Sequence, residues 1–181
     1  MSEAIYVVVM KSQNLSAKMI TFFNRRPFNH VSIAMDEKLE DMYSFCRITS
    51  KFYPANLTKE DMSINKAKFG PDYDTPCEVY RILISEQQKE ITRSIIEDIF
   101  KNKDRYSYNY LGLVAIFFGV NLKRKYRHVC SSFVATVLDG IDIKLSKPIF
   151  LMTPSDFRVI DGAKKIYSGD INEYYRMRHS S

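Results

Sequence analysis

No stretch of the 181 residues is long and apolar enough to read as a bilayer-crossing helix. The longest apolar run, Tyr110–Leu122, falls short of the roughly 20 residues such a helix needs, and Gly112 and Gly119 interrupt it. Cysteine is scarce. Cys46, Cys77 and Cys130 are odd in number, and their spacings fit neither a disulfide framework nor a zinc site. Free thiols point instead to a reducing compartment. No secretory leader is legible either: the opening MSEAIYVVVMK has an early acid and only a short apolar run, which suits a strand. Internal repeats, low-complexity linkers and coiled-coil periodicity are also missing. These absences predict a cytoplasmic, soluble protein folding as one domain over residues 1–181, with a loose tail from about 176. Nothing in the sequence implies a metal or an organic cofactor.

A hydrophobic fraction of 45% against 27% charge is enough for a sizeable core. The net charge of +6 is modest but clustered. Lys123, Arg124, Lys125, Arg127 and His128 stand almost together, with smaller groups at Arg25–Arg26 and Arg176–Arg178. Such a cluster can steer nucleic acid, an acidic substrate or an anionic membrane. No helix-turn-helix, zinc-finger or aromatic RNA-binding signature accompanies it, so nucleic acid is not the expected partner. A solvated loop explains the cluster, and an anionic lipid surface would suit it too, given the apolar Tyr110–Leu122 beside it.

Ala4–Met10 is β-branched and aromatic and reads as a buried strand. Leu15, Met19, Ile20 and Phe23 change to helical spacing behind Asn14, and Arg26 before Pro27 ends that helix. His30–Met35 alternates, with Val31, Ile33 and Met35 on one face and His30, Ser32 and Ala34 on the other. An acidic turn leads to Met42–Arg47, so these two strands predict a hairpin. Thr49–Tyr73 is polar and irregular. Cys77–Ile84 is a further strand. Ser85–Asn102 is the clearest helix, capped by Ser85 with Gln88 three residues on. Leu111–Phe118 reads as a core helix. Cys130–Leu138 reads as another, with Gly140 at its end, and Thr153-Pro154-Ser155-Asp156 opens a short helix through Val159. The sum is α+β: a small, mostly antiparallel sheet packed against helices.

Cys130 is placed for chemistry. The unpaired N–H groups and partial positive charge at a helix N-terminus favour an anion, hence a thiolate, and can receive an oxyanion. Cys46 and Cys77 lie inside strands. Of three histidines, His179 is in the tail and His128, two residues from Cys130, is expected to point away from the thiol. His30, at a strand start, is the candidate base, since such pairs meet in space and not in sequence.

LSAKMITFF followed by FNHVSIAM and MYSF, then RYSYNYLGL, VCSSFVATVL and LMTPSDF in that order, resembles the permuted NlpC-type papain-like proteins, the YiiX-like group most closely. The histidine-first, cysteine-later order distinguishes them from ordinary papain-like enzymes. The resemblance implies a circularly permuted papain-like fold and a cysteine hydrolase acting on a small peptide, amide or acyl-ester substrate. In it Cys130 is the nucleophile, His30 the base, and the backbone N–H groups of Cys130 and Ser131 the oxyanion donors. Many relatives carry a glutamate on the next strand to orient the imidazole. Here MYSF occupies that place, so Ser44 falls where the acid would be, with Tyr43 in reserve. A serine can hold the ring but cannot stabilise an imidazolium by charge, which implies weak catalysis or a binding module on the same scaffold. The lecithin–retinol-acyltransferase branch shares the order and implies the alternative of a lipid acyl hydrolase or acyltransferase.

Overall fold

The structure, a computed structural model, describes residues 3–12, 27–46, 56–60 and 74–180. The helix expected after Asn14 lies outside them. The chain is α+β. Among the described residues the main sheet has six strands, in the order β4-β3-β2-β1-β5-β8, each pair antiparallel. In sequence they are β1 (Glu3–Met10), β2 (His30–Ala34), β3 (Met42–Cys46), β4 (Asn56–Glu60), β5 (Pro76–Ile84) and β8 (Ala163–Asp170). Two residues each form β6 (Ser107–Tyr108) and β7 (Arg127–His128), which pair in parallel. The helices are α1 (Glu86–Lys101), α2 (Tyr110–Phe117), α3 (Cys130–Asp139) and α4 (Ile171–His179).

β1 is apolar almost throughout because both its faces are covered. Ile5, Val7 and Val9 join a core with Val31, Ile33, Phe45 and the α3 residues Phe133, Val134 and Val137. Tyr6, Val8 and Met10 face the other way, onto Met42, Val79 and the α4 residues Ile171 and Tyr174. The expected β2–β3 hairpin forms, with Ile33 opposite Tyr43.

The ends of α1 follow their sequence signals. Gln88 N–H donates to Ser85 Oγ at 3.1 Å and Ser85 N–H donates to Gln88 Oε1 at 2.9 Å, the reciprocal pair of a capping box. Gly140 does follow α3, but its φ of −64° is an ordinary helical value. Glycine there lets α1 come close: a Cβ would stand 2.5 Å from Ile95 Cδ1, so the end of that side chain would have to turn aside. Pro154–Val159 is a 3-10 helix, tighter than the helix expected. Residues read as a loose tail belong instead to α4. Asp170 caps it, accepting from the N–H groups of Asn172 and Glu173, and His179 stacks on Tyr175 with ring centroids 3.8 Å apart.

α2 departs from the expected core helix. Its inner residues Leu113 and Ile116 pack on Tyr108 and Val129. Its outer residues are exposed.

Candidate active site

His30 is the first residue of β2 and pairs with Met10 at the end of β1. That puts its ring at one end of the sheet, and α3 lies against β2 and β3 with Cys130 as its first residue. The two residues meet there: the Cys130 thiol lies close enough to the imidazole to help raise its pKa. Both are buried, Cys130 at 2% exposure and His30 at 6%. Neither of the other cysteines has this setting. Burial raises the Cys46 thiol, and burial followed by Asp170 and Glu78 pushes Cys77 up to about 12.

The third member comes from a segment the sequence did not reveal as a strand. Glu60, the last residue of β4, places Oε1 3.1 Å from His30 Nε2. Ser32, two residues along β2 and on the same face as His30, donates to the same Oε1 at 2.5 Å, and its Oγ lies 3.2 Å from His30 Nε2. Nε2 is thereby occupied, which leaves Nδ1 as the nitrogen for the sulfur. The carboxylate holds the ring by Nε2.

Ser44 therefore does not take the orienting place expected of it. Its Oγ is buried without a hydrogen bond of ordinary geometry. It still lies near enough to the carboxylate to help lower its pKa. Tyr43 points to the opposite face, packs against the α3 core and reaches Asp41 at 3.4 Å. The correction has a simple cause. Met42 pairs with Glu60 and Ser44 with Thr58, so β4 puts a carboxylate on the same face one strand beyond the place the sequence suggested.

Burial opposes charge on both partners and is outweighed on both. It pulls the His30 imidazole down, but the negative charge of Glu60 and hydrogen bonding of the protonated ring to Cys130 and Glu60 leave it well above its ordinary value. It pushes the Glu60 carboxyl up, but the charge of His30 and hydrogen bonds from His30 and Ser32 bring it below the ordinary carboxylate value. Imidazolium and carboxylate thus support one another in a buried pair.

Around Cys130 the backbone is arranged by polar contacts. Val129 N–H donates to Ser132 Oγ at 3.0 Å, and Phe133 N–H makes the first helical bond to Val129 O at 3.0 Å. The N–H groups of Cys130 and Ser131 precede that bond and have no partner within the helix. Asn109 N–H donates to His128 O at 2.9 Å, tying the start of α2 to the strand that leads into Cys130. Tyr108 borders the thiol as well; burial first, and then the nearby Cys130, raise its phenol well above the ordinary value.

His128 turns into an aromatic cage. It is stacked on Tyr106 and Phe150 at 5.9 and 6.0 Å and tilted against Phe45 at 5.4 Å. Burial lowers its pKa from 6.5 to about 4. The unfolded chain then takes up a proton below pH 6.5 that the native ring refuses until about 4, so His128 subtracts stability as the pH falls through that window. At about 1.4 kcal/mol per unit the loss is about 3 kcal/mol. Replacing His128 by Phe should remove it. Urea denaturation at pH 7 and pH 4.5 should show the variant gaining on the wild type at the lower pH, and a constant difference would contradict the account.

Among the described residues, no group of three or more His, Cys, Asp or Glu is disposed to hold a metal ion, and no helix is long and apolar enough to cross a membrane. Neither a protein-family model nor a curated protein sequence matches the chain.

Proposed function

We propose that the protein is a cysteine-dependent hydrolase of amides or esters on a circularly permuted papain-like fold, with Cys130 as nucleophile, His30 as base and Glu60 as the residue that orients His30. The observation that carries the reading is a buried imidazole held by a carboxylate at 3.1 Å and set beside the Cys130 thiol. An imidazole fixed in this way takes the thiol proton at Nδ1 while Glu60 stabilises the charge it acquires. The sulfur attacks the substrate carbonyl, and the carbonyl electron pair moves onto oxygen. The N–H groups of Cys130 and Ser131 receive that oxyanion. Collapse of the adduct expels the amine or alkoxide, which recovers the proton from His30 and leaves a thioester. Water, deprotonated by the same ring, then hydrolyses the thioester and restores the thiol.

The motive for reading the scaffold as inactive was a serine in place of a charged third residue, and Glu60 removes that motive. Covalent labelling tests the assignment. Brief treatment with iodoacetamide at neutral pH should alkylate Cys130 first, read by peptide mass, and Cys130→Ala should lose that fast phase. Equal labelling of the variant, or prior reaction at Cys46, would refute it. A panel of small acyl amides and esters, run with the same variant beside the wild type, then reads the bond that is cleaved.

A further inference from the structure

We propose that the outer face of α2, with the basic loop that follows it, is a docking surface for an anionic lipid bilayer. A surface helix of a soluble domain normally turns polar residues outward. Apart from the Tyr110 hydroxyl, α2 has none to turn. Its inward residues Leu113, Ile116 and Ala115 are already committed to the fold. Facing outward are Leu111 at 60% exposure, Val114 at 47% and Phe118 at 70%, with Val120 at 53% just beyond the helix. Leu111, Val114 and Phe118 recur at helical spacing, so they form one stripe.

The charge beside that stripe is of one sign. No Asp or Glu occurs between Asp104 and Asp139, while Arg105, Lys123, Lys125 and Arg127 are all exposed. Parallel pairing of Ser107 with Arg127 brings the two basic stretches together, and Arg105 and Lys125 both stand over the Tyr126 ring, at 4.9 and 5.0 Å. A bilayer answers both parts at once: its acyl boundary accepts the apolar side chains and its anionic headgroups accept the bases. A second copy of the chain answers only the first part, since a two-fold contact through this face would set each basic loop against its twin.

The docked helix would also present the membrane to the site. Val129, which packs on the inner face of α2, directly precedes Cys130. The outer face therefore stands roughly one helix diameter, about 10 Å, from the nucleophile. If the site is the hydrolase proposed above, its substrate is an acyl-bearing amphiphile drawn from that surface. The docking itself does not rest on the catalytic reading.

Sedimentation of the full chain with vesicles tests it. The wild type should sediment with vesicles of phosphatidylcholine containing phosphatidylglycerol, and much less with phosphatidylcholine alone. Binding should weaken with added salt. Leu111→Ser/Phe118→Ser and Lys123→Glu/Lys125→Glu should each lower the partition coefficient at least about tenfold, with circular dichroism unchanged. Cys130→Ala should bind as the wild type does, so a failure of docking and a failure of catalysis are read separately. The proposal is overturned if the wild type does not sediment with the anionic vesicles, or if neither pair of substitutions weakens binding. Formation of a dimer that Leu111→Ser/Phe118→Ser abolishes, or equal binding to neutral vesicles, would overturn it too.

Discussion

Replacing Glu60 by glutamine is expected to slow turnover of a cleavable acyl amide or ester by a factor on the order of 10³ to 10⁴, with KM little changed. Glutamine keeps the size of the side chain and can still accept or donate a hydrogen bond. It cannot balance the positive charge that His30 acquires when it takes the thiol proton, and it can hold the ring in the wrong tautomer. Glu60 acts through His30, so the variant carries a second signature. Without the carboxylate, the imidazole loses the largest of the influences that raise it, and the His30 midpoint in an NMR titration of the histidine rings should fall. Stability should follow the same linkage. The raised His30 contributes fully below its ordinary 6.5 and fades as the pH rises through its native value; the lowered Glu60 contributes fully above its ordinary 4.5 and fades as the pH falls through its own. The unfolding free energy lost in Glu60→Gln should therefore be greatest between about pH 4.5 and 6.5. Unchanged turnover together with an unmoved His30 midpoint would show that the carboxylate is only a structural neighbour.

Replacing Phe133 by alanine should cost about 4 kcal/mol, a large share of the roughly 5 to 15 kcal/mol that holds a typical domain together. Phe133 is fully buried one turn after Cys130, with its ring 5.5 Å from that of Phe45 on β3. It fastens the beginning of α3 to the sheet that carries His30. Removing it leaves a cavity between two elements fixed by many other contacts, so the void cannot easily close. Urea denaturation of the wild type and variant measures the loss. A cost below about 1 kcal/mol would mean that α3 settles inward to fill the space, and that this ring does not set its position.

The elements legible in the sequence were those with apolar periodicity or a strong end signal. β1, β2 and β5 carry Val, Ile and Tyr because they lie between two packed layers. α1 announces itself through Ser85 and Gln88. Cys130 and His30 could be paired in advance because helix start and strand start are local features. Glu60 could not be found in the same way. β4 reads NLTKE, with a single fully buried residue, Leu57, and an outer strand with so little apolar content looks like a loop. β8, AKKIYSGD, was missed for the same reason: its side chains are exposed or half-buried, and their sequence carries no alternation to detect. α4 did leave a trace. Asp170 followed by Glu173 is a start signal, but the residues after it are basic and carry little apolar periodicity. The exposed stripe of α2 was hidden by composition, since a helix apolar on every side reads as interior.

Among the described residues β4 is the outermost strand of the sheet, paired along one side only, to β3. Strands in that position are the first to fray, at a free energy below that needed to open the whole domain. The carboxylate that steadies His30 is thus mounted on an outer strand, while Cys130, the first residue of α3, is buried in the core. A brief excursion of five residues would leave the histidine without its counterion and the rest of the fold standing, so catalytic competence and structural integrity would have separate thresholds in this molecule.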